Sequence, residues 1–274
     1  MKPFSQIAAK DCARKTGILF DIDDTFSLQG KIPAEAYVAL WDLHQAGFVV
    51  VPITGRPAGW CDHMARMWPI HGIVGENGAF YFYYDQGLGK LMRRFIFSPD
   101  EIADKLGKLK VIEQVVRRRV PRAGVSADQH YRLFDLAIDF CEDVPALSDD
   151  EITEICSIFQ EYGATCKVSS IHVNGWFGSY NKLSTTKLFL EERLGLSWQK
   201  ARDKFVFIGD SPNDEPMFEA FPLSIGVANI RTFADKMNHL PAYVTQAEGG
   251  LGFAEMARSI INKTSKNKEA VDAS

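Results

Sequence analysis

Four short apolar runs along the chain each stop abruptly at polar or glycine residues. Thr16–Phe20 ends in DIDDT, Phe48–Ile53 in TGRP, Ile70–Val74 in GENGA and Phe205–Ile208 in GDSPND. Runs that are apolar throughout, rather than at alternate positions, predict strands buried on both faces, as in a parallel sheet covered by helices. Helical spacing lies between them. Pro33–Ala46 reads as one helix, with Ala36, Val38-Ala39-Leu40 and Leu43, and stops at Gly47, and Arg56–Trp68 reads as a second. The chain therefore opens as a right-handed βαβαβ unit.

The pattern changes near Tyr81. A strand at Leu91–Phe97 leads into a basic helix at Pro99–Arg119, then strand sequence at Leu133–Phe140. A second helix follows at Ser148–Tyr162, with Ser148 as its cap ahead of Asp149, Asp150 and Glu151, and Cys166–Val173 is again strand-like. Strands with two helices predict a small α+β module. A helix from Leu183 to Leu194 and the run at Phe205 return the chain to the first pattern. The expected division is a core in two pieces, 1–84 and 179–262, an inserted domain at 85–178, and a disordered tail at 263–274.

Composition narrows the class. The 274 residues suit one large domain or two small ones, with 46% hydrophobic and 24% charged residues, which excludes disorder over most of the chain. A net charge of −4 gives no reason to expect nucleic acid or a membrane surface as partner. No apolar stretch approaches the roughly 20 residues that span a bilayer, and the first residues do not resemble a signal peptide, so a cytoplasmic protein is expected. Cys12, Cys61, Cys141, Cys156 and Cys166 form no CxxC pair and read as reduced thiols. The six histidines are scattered, without a transition-metal pattern.

In an open parallel sheet, ligands bind beyond the carboxyl ends of the strands. Those ends here carry Asp21, Asp23 and Asp24, then Thr54 and Arg56, then Asp210, Ser211, Asn213 and Asp214. Carboxylates massed at one edge repel each other unless a cation sits among them, and hard oxygen ligands favour magnesium over zinc. Asp21 and Asp23, two residues apart on an extended strand end, can divide labour as nucleophile and proton donor. Thr54 and the N–H groups of the Asp23–Phe26 turn can hold phosphate oxygens, and a lysine would add a point charge.

This conjunction resembles the haloacid dehalogenase (HAD) superfamily of phosphohydrolases. Asp21-Ile22-Asp23-Asp24-Thr25 is similar to its first motif, Thr54 in ITGR to its second, and Gly209-Asp210-Ser211-Pro212-Asn213-Asp214 to its fourth. The resemblance implies Asp21 as the residue that becomes an aspartyl phosphate and Asp23 as general acid and base. It implies Mg2+ held by Asp21, Asp210, Asp214 and the backbone carbonyl of Asp23. Lys182 is the expected third-motif lysine, although Leu183 replaces the usual glycine; Lys187 lies further into the helix. The stretch between Asp21 and Thr54 is too short for a domain, and that between Thr54 and Lys182 is long enough. The resemblance is thus to members with a C2 cap, subfamily IIB, which includes sucrose-phosphate, mannosyl-phosphoglycerate, trehalose-phosphate and Cof-type phosphatases. The expected fold class is α/β, a Rossmann-like doubly wound parallel sheet core with an inserted α+β cap domain.

Expected substrate contacts are Gly55 and Arg56 after Thr54, Glu76 and Asn77 of the ENGA loop, His172 and Asn174 ahead of the third motif, and Asn213. Arg117, Arg118, Arg119 and Arg122 are open to two readings, a site for a second anionic group or a solvated helix end. Hinges are expected near Phe80–Gln86 and Gly175–Asn181. The expected activity is magnesium-dependent hydrolysis of a small sugar phosphate or sugar-acid phosphate by a monomer or homodimer. A phosphomutase and a non-catalytic phospho-ligand binder are the alternatives.

Overall fold

A computed structural model describes residues 1–169 and 171–272, with only the backbone course given for 265–272. Six strands form the main sheet in the order β1 (Lys2–Pro3), β13 (Tyr243–Val244), β12 (Ser224–Gly226), β11 (Phe205–Gly209), β2 (Gly17–Phe20) and β3 (Val49–Pro52). Every neighbouring pair is parallel. The three strands expected in this sheet at 16–20, 48–53 and 205–208 are present. β2 leads to β3 on one side, and β11 leads to β12 and β13 on the other, so the winding reverses between β2 and β11.

Both faces are covered, which explains the unbroken apolar runs. On one face α1 (Ala9–Cys12), α2 (Ala34–Gln45) and α9 (Gly249–Asp272) bury Leu40, Phe253 and Met256 against Ile18, Phe20 and Val206. On the other, α6 (Lys182–Leu194), α7 (Trp198–Lys204) and α8 (Glu215–Ala220) bury Phe189, Ala201 and Phe218 against Leu19, Val51 and Phe207. No helix among the described residues is long and apolar enough to cross a membrane. None of the five cysteines forms a disulfide.

The inserted module is a four-stranded antiparallel sheet in the order β7 (Gly124–Val125), β8 (Asp135–Asp139), β10 (His172–Trp176) and β9 (Thr165–Val168). Helices α4 (Pro99–Arg119) and α5 (Asp149–Glu161) pack on it through Ile112, Val116, Ile155 and Phe159. Both helices begin with a capping box: Ser98 with Glu101, and the expected Ser148 with Glu151.

Three expectations change. Phe80–Asp85 is not a hinge but strand β5, paired antiparallel with β4 (Ile73–Gly75) and β6 (Lys90–Phe95). Phe80 and Phe82 are locked into the cluster that also holds α3 (Ala58–Met67), their rings 4.2 Å apart, while Tyr81 packs on the opposite side against Phe189. β6 therefore belongs with the core, and the chain crosses into the cap near Phe97 rather than at 85. It returns at Gly178, where the Phe97 ring lies 5.7 Å from that of Tyr180. Second, β4 touches the main sheet only by a bridge between Ile53 and Val74. Third, the final helix runs on to Asp272 instead of ending ahead of a loose tail from 263. There the Lys263 ammonium donates to the Ile7 carbonyl at 2.7 Å. Residues 273 and 274 lie outside the described residues.

Candidate active site

The carboxyl ends of β2 and β11 lie side by side where the winding reverses, and each delivers an acidic segment to the same point. The Asp21 N–H donates to the Ile208 carbonyl, which fixes Asp21 as the first residue past the strand. The chain then turns tightly, with Phe26 and Ser27 N–H groups both donating to Ile22 O and Asp24 in the left-handed region at φ 52°. After β11, Gly209 permits the next turn: a Cβ there would sit 2.3 Å from Asp214 Oδ2. That oxygen accepts from the Asp210 N–H at 3.1 Å.

Lys182, the first residue of α6, reaches this point from the far side of the cap. Its Nζ lies 2.8 Å from Asp21 Oδ1, 2.7 Å from Asp214 Oδ1 and 3.3 Å from Asn213 Oδ1. Gly78 makes the approach possible. Its φ of +109° is strained for other residues, and a Cβ would lie 2.2 Å from the Asn181 carbonyl. Lys187 is not at the site; it lies over the Trp198 ring.

Asp21, Asp210 and Asp214 are all buried and each brings a carboxylate oxygen within 4.8 Å of the others. Burial pushes the Asp21 carboxyl up to about 8 against the pull of Lys182, with Asp214 and Asp23 adding to the rise. Burial and the neighbouring Asp21 and Asp214 drive Asp210 well above the usual carboxylate range. One ammonium thus sits among three buried carboxylates. A hard divalent cation among these oxygens would restore the balance, so the donor set fits such an ion. Asp23 contributes no carboxylate oxygen to this group.

Thr54 is buried just past β3, and its Oγ1 accepts from the Arg56 N–H at 3.0 Å. The Arg56 guanidinium forks onto Asp23, with Nε 3.0 Å from both carboxylate oxygens and Nη2 2.8 Å from Oδ1. It also meets two cap acids, Asp128 Oδ2 at 3.4 Å and Glu142 Oε1 at 3.2 Å. From the cap, the buried Arg132 answers with 2.9 Å to the Gly55 carbonyl and pairs to Asp128 and Asp135.

Between core and cap remains a cavity of about 10 Å3, lined by Asp21, Asp23, Gly55 and Arg56 below, and by His172, Asn174 and Asn213 among others. This is room for about one water molecule. The expected contacts His172 and Asn174 therefore face Asp21 and Asp23 across a closed seam. His172 Nε2 is 2.9 Å from Glu142 Oε2, and Asn174 Nδ2 donates to Asp135 at 3.0 Å. Ser170, in the same expected segment, lies outside the described residues.

Glu76 has a different role from the expected one. It is fully buried, and its carboxylate accepts N–H groups of Ala58 at 2.9 Å, Leu133 at 2.9 Å and Phe134 at 2.6 Å. With every near donor already used, it ties the core to the cap and is absent from the lining of the cavity. Asn77 is buried beside Gly55 and lines a neighbouring cavity with Lys182. Of the cap arginines, Arg117 pairs with Glu113, Arg119 with Glu154 and Glu161, and Arg122 with Glu151, which is the solvated-face reading. The sequence reading missed Arg132, Asp128 and Glu142. They sit in no motif, and only tertiary placement brings them to Arg56. Ser211, whose Oγ donates to Asn213 Oδ1 at 2.9 Å, lay within a motif already singled out.

Comparison with known proteins bears on the fold. No protein-family profile and no curated protein sequence matches the chain. Solved structures do. A putative HAD/COF-like hydrolase from Plasmodium vivax superposes with a TM-score of 0.66 at 18% identity, over 93% of this chain and 99% of that one. The sucrose-phosphatase of Synechocystis, solved with sucrose and phosphate, gives 0.60 at 15% identity over 90% and 98%. A Thermoplasma acidophilum protein gives 0.67 at 17% identity, again over 90% and 98%. The chain thus has the fold of haloacid-dehalogenase-like hydrolases, core and cap together.

Proposed function

We propose that the protein is a magnesium-dependent phosphomonoesterase acting on a small sugar phosphate or sugar-acid phosphate. The observation that carries this reading is the convergence of Lys182 on Asp21 and Asp214, with Asp210 in the same buried group. Mg2+ held by Asp21, Asp210 and Asp214 would offset the negative charge of an incoming phosphate.

Asp21 attacks phosphorus, and the bond from phosphorus to the ester oxygen breaks as Asp23 gives that oxygen its proton. Water, losing a proton to Asp23, then attacks the aspartyl phosphate and frees Asp21 and inorganic phosphate. Lys182 stabilises the charge on the nucleophile, and the Thr54 hydroxyl, whose oxygen already accepts from Arg56, is free to donate to a phosphate oxygen. Both Asp23 carboxylate oxygens accept from Arg56, which also meets Asp128 and Glu142 of the cap. The fork therefore positions Asp23 beside Asp21 and ties it to the cap acids through one guanidinium. The cap excludes bulk water from the intermediate.

The test is phosphate release from a panel of sugar phosphates, sugar-acid phosphates and nucleotides, with Mg2+ or EDTA, for wild type and Asp21→Asn. Release that needs Mg2+ and vanishes in the variant is expected. Tight binding without release would make the chain a binder, and phosphate moved between positions of one sugar would make it a mutase.

A further inference from the structure

Beside the catalytic cleft lies a second cavity of about 200 Å3, where the returning chain meets the start of α6. Asn77, Lys167, Trp176, Tyr180, Lys182 and Asn213 line it, and no Asp or Glu does. Asn213 lines the cleft as well, so the two spaces adjoin.

Three features give this cavity one chemical character. Two lysines border it. The N-terminal end of the 13-residue helix α6, at Asn181 and Lys182, opens onto it and favours negative charge. Most telling, the side chains of Asn77, Trp176 and Tyr180 are more than nine-tenths buried. Their Nδ2, Nε1 and phenolic oxygen have no hydrogen-bond partner among the described residues. Buried polar groups are nearly always paired, and an orphaned one costs about 1–3 kcal/mol. An amide N–H2 and an indole N–H can only donate. The Tyr180 phenol is pushed well above its ordinary range by burial and by nearby Asp135 and Glu76, so it too remains a proton donor. Unused donors, the unspent rim lysine Lys167, a helix start and a lining without Asp or Glu suit an acceptor-rich anion, even though Lys182 is shared with Asp21 and Asp214 and Asp135 and Glu76 lie behind Tyr180.

We infer that this cavity is a binding site for a small oxyanion group, carboxylate or phosphate, lodged next to the catalytic lysine. Two sources share that chemistry: the carboxylate of a sugar-acid phosphate whose ester sits at Asp21, and the inorganic phosphate product. Arg117, Arg119 and Arg122 of the cap are already paired to glutamates. The substrate arm of the inference rests on the phosphatase reading above; the binding arm does not.

The binding arm uses calorimetric titration of inorganic phosphate into the full chain in EDTA. Wild type, Lys167→Glu and Trp176→Phe are compared. Lys167 is exposed at the rim, so its reversal leaves the core packing alone, and Trp176→Phe keeps an aromatic ring, though a smaller one, while deleting the N–H. Both variants should weaken binding, Lys167→Glu by about tenfold, as expected for one reversed charge near an anion. Absence of phosphate binding in wild type, or affinities within twofold across the three proteins, overturns the inference. The substrate arm measures KM with Mg2+ for glucose 6-phosphate and 6-phosphogluconate. A rise in KM confined to the acid marks a substrate carboxylate. Weaker product inhibition with both KM values unmoved marks the product phosphate. A protein that hydrolyses nothing yet binds phosphate in this variant-sensitive way sinks the phosphatase reading and leaves the site. Turnover with unmoved phosphate binding does the reverse.

Discussion

Glu76→Ala tests whether the carboxylate is a tie rather than a substrate contact. In the wild type it accepts N–H groups of Ala58 in the core and of Leu133 and Phe134 in the cap, in a place sealed from solvent. The variant strands three buried donors at about 1–3 kcal/mol each. Water entering the vacated space recovers part of that, so a loss of about 3–5 kcal/mol is expected. This is a large fraction of the roughly 5–15 kcal/mol that holds a domain together. Glu76→Gln keeps one acceptor but turns an amide N–H2 toward other donors, for about half that loss. Urea unfolding followed by tryptophan fluorescence reads both, and a drop near 10 °C in Tm should accompany Glu76→Ala at roughly 2–4 °C per kcal/mol. KM of the Gln variant should stay within twofold of wild type. A fully stable Ala variant, or a Gln variant of normal stability with KM raised tenfold, would refute the structural role and restore the substrate contact.

The hydrogen bond from His172, helped by Arg56, holds the Glu142 carboxyl down to about 2. A carboxyl depressed on folding contributes stability above its unfolded pKa near 4.5 and loses it as pH falls toward 2. Wild type should therefore lose about 1 kcal/mol more than Glu142→Gln between pH 5 and 2.5, since Glu142 is one-third exposed and well screened; urea midpoints that fall in parallel would contradict it. Added Mg2+ should raise Tm of wild type by several degrees and that of Asp210→Asn by far less, because binding to the folded state alone stabilises it; equal shifts would move the cation elsewhere. Gly78→Ala should cost at least about 2 kcal/mol through its φ and the clash with the Asn181 carbonyl, and should lower kcat by displacing Lys182; a stable, fully active variant would disprove the tight packing of loop on helix.

What the sequence made legible was the place where chemistry gathers. Strands buried on both faces must be apolar, so the DIDDT, TGRP and GDSPND segments stand out as the points where chain leaves the sheet. Lys182 was found from order along the chain, not from distance. The FYFYY run was misread because aromatic residues packed on both sides of a strand show no alternation. Cys166–Val173 was read as one strand because the turn at Ser169 that splits β9 from β10 carries no glycine or proline. Glu76 matched a motif and still serves a different end, since spacing does not reveal which backbone N–H groups will surround a side chain. The Arg56–Asp128–Arg132–Glu142 network lies between two lobes, where no local pattern exists to read.

The contact between Phe97 and the Gly178–Tyr180 segment has a meaning for how the molecule is assembled. The cap leaves and re-enters the core through one narrow doorway, so the core's own chain path is almost continuous without it. A short turn from Phe97 to Gly178 could close that gap, while Lys182 stays anchored through the Thr185 hydroxyl bond to the Gly78 carbonyl. Structurally the acidic edge is built by the core, while the module above it enters and leaves at one place and is held down by Glu76, Arg132 and the packing of Phe134 and Trp176 in one cluster with Phe80. Changes in the module's outer loops can then leave Asp21, Lys182, Asp210 and Asp214 in place.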